Sequence, residues 1–464
     1  MKKRYFKLPT AYSILMIITI VIAIITQFIY GVKSAKFSDV IMAPIYGLKD
    51  AIDISLYVLL MGGFLGVVTK TGALDAGIGS IVRKLNGKEL LLIPILMFVF
   101  SLGGTSYGMS EETLAFYALV TATMMAAGFD SLTAVATIAL GAGSGVLGST
   151  VNPFLVSTSI DSLNNVGIVV DEALVIGTGV ALWLSSLLIS ILFVVNYAKK
   201  VKDDKKYSFL SEIEYKNAKE AFIDNNGDTI EFTTKRKVIV VLFAISFVVM
   251  ILGVIPWDKF GITIFKDTAF LTGQPLGNWW FSQLAAWFTL MAIIIGIVYG
   301  FNEKEIVSYI VEGASEMVGV AIIIGISRGV SHIMAETNLD IYVLNKVSTE
   351  LTGMPSILFI NIVFLIYIAL AFLIPSTSGL ASLSVPIFGP LAKTLGFSPE
   401  IVISILSAGS GLVNLITPTS GVIMGGLAIS KVEYTTWIRF VSKVVICIYV
   451  SSAIILSISM MFMK

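Results

Sequence analysis

The chain has 464 residues, of which 56% are hydrophobic and only 13% charged, with a mean hydropathy of +0.92. That balance excludes a soluble globular protein and predicts an all-α polytopic membrane protein. A formal net charge of +1 offers nucleic acid nothing; the lone cysteine, Cys447, excludes an intramolecular disulfide, and the lone histidine, His332, excludes a multi-histidine metal centre.

The N-terminus, Lys2, Lys3 and Arg4 before an apolar run over 11–30, imitates a signal peptide. The run is too long for one and lacks a small-residue cleavage site, so it reads as a retained first helix. Apolar runs predict nine spans: 11–31, 52–70, 131–160, 172–197, 237–256, 278–300, 316–334, 400–430 and 437–462. Two pairs of shorter arms, 90–127 and 357–394, read as re-entrant hairpins, and the spans 131–160 and 400–430 read as helices broken by Gly, Ser, Thr and Pro. Broken backbone at membrane depth is tolerated only where protein buries it or a watery cavity meets it.

The charged segment 198–236 divides the chain into membrane halves 1–197 and 237–464. Basic residues gather at the N-terminus, at Lys70, Arg83, Lys84 and Lys88, and in that segment. Their bias puts the N-terminus and the linker in the cytoplasm, with the protein multi-pass in the inner membrane.

The halves repeat at a nearly constant spacing. Leu74-Asp75 reappears as Leu339-Asp340, Thr105-Ser106 as Thr377-Ser378, and Gly128-Phe129 as Gly396-Phe397. AGSG at 142–145 recurs at 408–411, and Asn152-Pro153 matches Thr417-Pro418. In the predicted topology the two hairpins enter from opposite sides. Inverted repeats of this kind build many secondary carriers, with the site at their interface.

Four elements are expected to converge there: the tips 103–112 and 375–382, and the breaks 148–153 and 414–421. The expected solute contacts are Thr105, Ser106, Glu111, Glu112, Asn152, Ser376, Thr377, Ser378, Asn414, Thr417 and Thr419. Glu111 and Glu112 bring negative charge to the first tip and the second tip carries no acid, which favours a substrate with a cationic part. Arg328 and His332, four apart, share a helix face, and Arg328 is a candidate carboxylate anchor against pairing with Glu316, Glu336 or a lipid headgroup. His332 reads as structural, Asp130 as a solvated cap, and Trp257, Trp279, Trp280 and Trp437 as an interfacial belt. No nucleophile–base pair, nucleotide loop or metal cluster stands out, so the chain reads as no enzyme and transport as secondary.

Three stretches, FKLPTA (6–11), GGTSYGMSEETLAFY (103–117) and GAGSGVLGSTVNP (141–153), resemble the YfcC-type carriers. These belong to the anaerobic dicarboxylate-carrier family, within an ion-transporter superfamily that includes aminobenzoyl-glutamate and citrate/succinate carriers. The resemblance covers the whole chain. It implies a homodimer in the bilayer, with a scaffold domain and a mobile domain carrying both hairpins in an elevator-type movement. In sodium-binding members of the superfamily a Ser-Asn-Thr element marks each break. Here the positions read Ser149, Thr150 and Asn152, then Thr417 and Thr419, a rearranged set that the resemblance makes the candidate ligands of a sodium ion. No other cofactor is implied. The expected function is antiport of basic amino acids of the arginine/ornithine kind; the alternative is sodium- or proton-coupled uptake of C4-dicarboxylates or related anions.

Overall fold

The structure is a computed structural model that describes residues 11–74, 76–77, 88–110, 113–224, 231–254, 257, 261–374 and 376–462. Among these residues there are 18 α-helices and no strand. The first half runs α1 (Ala11–Thr26), α2 (Phe37–Asp50) and α3 (Ile52–Lys70), then hairpin arms α4 (Leu92–Tyr107) and α5 (Leu114–Ala126). The broken pair α6 (Ser131–Leu147) and α7 (Thr158–Asn165) follows, closed by α8 (Glu172–Asp203). After α9 (Glu212–Lys219) in the charged connection come α10 (Thr234–Val254), α11 (Phe281–Tyr299), α12 (Glu303–Thr337) and α13 (Leu339–Leu351). The second hairpin is α14 (Ser356–Leu373) and α15 (Thr377–Thr394), the second broken pair α16 (Glu400–Asn414) and α17 (Gly421–Ile429), and α18 (Tyr434–Phe462) ends the chain.

Seven helices among the described residues are long and apolar enough to cross a bilayer: α3, α4 with its short lead-in from Glu89, α8, α10, α11, α12 and α18. This is a multi-pass membrane protein. Six of the nine expected spans fall on these helices, while 11–31, 131–160 and 400–430 fall on shorter ones and α4, expected as a hairpin arm, is itself long enough. Helix α1 stops at Thr26, whose hydroxyl bonds the Ala23 carbonyl at 2.7 Å and accepts from the Ala35 amide at 2.9 Å, turning the chain into α2. Helix α2 itself lay in a stretch to which the hydropathy pattern assigned nothing. Helix α12 begins well before residue 316 because Asn302 and Glu305 form a capping box, with bonds of 3.0 and 2.8 Å.

Small residues set how closely these helices pack. Helix α12 runs antiparallel along α2 and α3, and a Cβ added at Gly62 would lie 2.7 Å from the Gly313 carbonyl, while one added at Gly313 would strike the Gly62 carbonyl. The two broken helices cross with the same reciprocity. A Cβ on Gly143 would strike Leu415, and one on Gly411 would strike Leu147. Residues 143 and 147 stand 268 positions before 411 and 415, the spacing of Gly128-Phe129 and Gly396-Phe397 and not that of the AGSG elements, and at that spacing the crossing is a local two-fold relation.

The connection between the halves is bound to both. Asp130 caps α6 through the Thr133 amide (2.8 Å) and accepts from Tyr197 and from Ser208 of the connection, each at 2.5 Å. It is 1% exposed, so the expected solvated cap is a buried junction. Glu214 of α9 accepts from the Glu433 amide at 2.9 Å and the Thr436 hydroxyl at 3.1 Å, placing a carboxylate on the N-terminus of α18.

The glycine contacts make a direct prediction. Gly313→Val should destabilise purified protein by about 1–3 kcal/mol through overpacking. Gly177→Ala, whose added methyl meets open space, should leave the thermal midpoint unchanged or raised.

Candidate functional site

A cavity of about 370 Å³ lies where the hairpin tips and helix breaks meet. The first hairpin contributes Gly108 and Ser110, the first break Asn152 and Phe154, the second tip Ser376, Thr377 and Ser378, and the second break Asn414, Thr419, Ser420 and Gly421. The opposite wall comes from the corner between α2 and α3 (Asp50, Asp53), the start of α11 (Trp280, Phe281) and α12 (Ile324, Arg328). Asp53 begins α3, whereas Thr71, just past its end, accepts from Arg236 at 3.1 Å. The charged wall therefore sits at the end of α3 away from the connection between the halves.

Helix ends give this cavity a polarity. Ser376 caps α15 by accepting from the Gly379 amide, and Ser420 caps α17 by accepting from the Ile423 amide. Both N-termini open on the cavity and favour anionic groups. Asp50 is the last residue of α2 and Asn414 the last of α16, and these C-terminal ends favour cations. Arg328 has no ion-pair or hydrogen-bond partner among the described residues, since Glu336 is paired with Lys33 instead. Asp53 accepts from the Ser282 hydroxyl at 3.2 Å.

Of the expected contacts, the structure brings Asn152, Ser376, Thr377, Ser378, Asn414 and Thr419 to the cavity. Thr105, Ser106 and Thr417 lie elsewhere. The Thr105 hydroxyl is 3.0 Å from the Gly148 carbonyl it donates to and 3.2 Å from the Thr150 hydroxyl; Ser106 bonds its own helix at Leu102, 2.6 Å away. Thr417 is 1% exposed and bonded to Thr419 at 2.6 Å. Glu111 and Glu112 lie outside the described residues.

The Thr-Ser match between 105–106 and 377–378 also dissolves, because the first pair ends α4 whereas the second begins α15. The true counterparts are backbone groups: Thr150 Oγ1 donates to the Thr105 carbonyl and Thr419 Oγ1 to the Phe372 carbonyl, each at 3.1 Å. The oxygens considered for sodium thus form two hydrogen-bonded groups, one at each break. In the first, Ser149 donates to the Val146 carbonyl at 2.7 Å and accepts from Asn152 at 3.0 Å.

Asp50, Asp53 and Trp280 were missed. Two acids three apart, Asp50 just before and Asp53 just inside the apolar run 52–70, were the available signal. Trp280 packs on Phe154 with centroids 4.6 Å apart, as cavity wall rather than interfacial belt. Trp437 is fully buried and donates to the Leu415 carbonyl at 2.8 Å, and Trp279 is 2% exposed.

Broken helices and hairpin tips closing on a polar cavity inside a multi-pass membrane protein define a membrane transporter. The family model described as C4-dicarboxylate anaerobic carrier matches residues 33–461, and the chain belongs to that family. A Haemophilus influenzae protein described as uncharacterized is 32% identical over 421 residues, covering 90% of this chain and 77% of its own length. The Escherichia coli K12 protein named "Putative basic amino acid antiporter YfcC" is 25% identical over 441 residues, covering 92% and 80%. Among solved structures, the Alcanivorax borkumensis YdaH transporter aligns with a TM-score of 0.45 at 16% identity, covering 98% of this chain and 99% of its own. Neisseria gonorrhoeae MtrF aligns at 0.43 and 17%, covering 99% and 96%.

The tip anchors can be tested by unfolding. Thr150→Val and Thr419→Val should each cost about 1 kcal/mol, the worth of a buried hydrogen bond. Ser106→Ala, which loses only a bond within its own helix, should shift stability by less than about 0.5 kcal/mol.

Proposed function

We propose that this chain is a secondary active antiporter of basic amino acids, with the hairpins gating access in an elevator-type movement of a homodimer. The observation that carries this reading is the charge pattern of the cavity: two carboxylates, Asp50 and Asp53, and one guanidinium, Arg328. A basic amino acid has the complementary set, two cations and one carboxylate. Its α-carboxylate is held by Arg328 and the N-termini of α15 and α17. Its cations are held by Asp50, Asp53 and the amide of Asn414, with Phe154 and Trp280 flanking the side chain. The name of the Escherichia coli relative supports the same substrate class. In this reading the end carrying Lys70, Lys202 and Arg236 faces the cytoplasm from the inner membrane, an orientation that the lysine and arginine bias supports.

C4-dicarboxylate transport is the second reading. It is favoured by the family description and by Arg328 with two helix N-termini, which suit an anion. In that reading the oxygens of Ser149, Thr150, Asn152, Thr417 and Thr419 supply a hard-cation donor set for sodium.

Counterflow in proteoliposomes with labelled arginine and labelled succinate, with and without sodium, separates the two. Sodium-independent arginine exchange is expected; sodium-dependent succinate uptake without arginine exchange overturns the reading. Asp53→Asn and Arg328→Gln should each weaken apparent arginine affinity by more than about tenfold, the effect of unpairing a desolvated charge. Arg328→Lys should recover only part of the loss, because it keeps the charge and loses the bidentate fork.

A further inference from the structure

His332 is the chain's single histidine, and amino-acid exchange by itself gives it no task. It lies on α12 one turn beyond Arg328. Its Nδ1 is 3.4 Å from Oδ2 of Asp50, and Tyr46, one turn before Asp50 on α2, stacks on the imidazole with centroids 4.7 Å apart. Asp50 also forms part of the cavity wall. One carboxylate therefore faces the histidine ring on one side and the solute space on the other.

The remaining charged groups near this ring are engaged elsewhere. Glu336, one turn further on α12, pairs with Lys33 from the loop before α2. Lys49 lies over the Tyr46 ring, 5.7 Å from its centroid. Asp53 of α3 accepts from Ser282, and Asp340 of α13 from the Ile341 amide. Tyr12 of α1 bonds the Gly319 carbonyl, more than three turns away along α12. Helix α17 carries no ionisable side chain, and Tyr299 of α11 is at the far end under Lys235. Arg328 and Glu336, each one turn from His332 on α12, are the other charges on the shared face; the first is cationic and the second is paired with Lys33.

We propose that His332 and Asp50 form a proton site linked to the substrate site, in which a proton on the imidazole and a cationic group of the substrate compete for the Asp50 carboxylate. With the ring protonated, the 3.4 Å contact is an ion pair and Asp50 is neutralised. When a substrate ammonium or guanidinium takes Asp50, the imidazolium beside Arg328 loses its nearest counter-charge and keeps only Glu336, whose charge is shared with Lys33; its N–H bond breaks, and the proton leaves to water. Protonation of a lone imidazole makes pH the variable that reads this competition. Linkage makes it reciprocal: the proton weakens substrate binding by the same factor that substrate weakens proton binding. The identity of the competing cation rests on the basic-amino-acid reading; the pair itself does not.

The full-length protein, purified and labelled with ¹⁵N-histidine, gives one imidazole signal to follow. Arginine affinity should fall about fivefold between about pH 8 and pH 5.5, and binding near neutrality should release a proton and move the signal toward neutral imidazole. His332→Gln should make the affinity independent of pH over that range and abolish proton release. In Asp50→Asn the signal should no longer respond to arginine. A pH dependence unchanged in His332→Gln, or a signal unmoved by arginine that binds, overturns the proposal. If arginine fails to bind at every pH, the substrate reading falls. The pair is then judged without substrate: a pH profile of the imidazole signal altered by Asp50→Asn supports it, and an identical profile overturns it.

Discussion

A helix that breaks within a bilayer frees backbone carbonyls and amides where no lipid can bond them, and each must be satisfied inside the protein. The architecture around the cavity follows from that requirement. At the first break Thr105 donates to the Gly148 carbonyl and Ser407 to the Leu147 carbonyl, so partners come from hairpin one and from the opposite broken helix. At the second break Trp437 and Tyr434 of α18 donate to the carbonyls of Leu415 and Ile416. Once these groups are satisfied, the short helix ends that remain can face a solute, and their dipoles come with them.

The halves meet this requirement with the same geometry and different chemistry. Each break hydroxyl, Thr150 or Thr419, holds the last turn of its hairpin's first arm. The charged wall is not duplicated: Asp50 and Asp53 come from the first half and Arg328 from the second. Approximate symmetry therefore builds the frame, while the departures from it give the cavity its positive and negative ends. The close glycine-mediated approach of α12 to α2 and α3 brings those opposite charges to one wall.

Much of this frame was legible in the sequence because it rests on hydropathy and on small-residue punctuation. Gly and Ser clusters marked both breaks, and the arms of both hairpins fell within the expected stretches. The spacing of Gly128-Phe129 and Gly396-Phe397, not that of the AGSG elements, relates the reciprocal contacts of Gly143 and Gly411. Side-chain direction was not legible. Thr105 reads as polar and tip-located, yet it is spent on internal hydrogen bonds. Asp50 and Asp53 were passed over because α2 is only modestly apolar, and its existence places them at a corner on the cavity. Trp437 at a span end gave no sign that its indole reaches the second break.

The segment joining the halves does more than connect them. Through Ser208 it is fastened at Asp130 to the start of α6, and through Glu214 to the start of α18. These helices lead into the first broken helix and flank the second. The connection is thus hydrogen-bonded at both ends, and the two helix starts share one tie over residues 208–214. The link between the two halves lies outside the cavity lining, in a polar strap whose attachments are hydrogen bonds at helix N-termini.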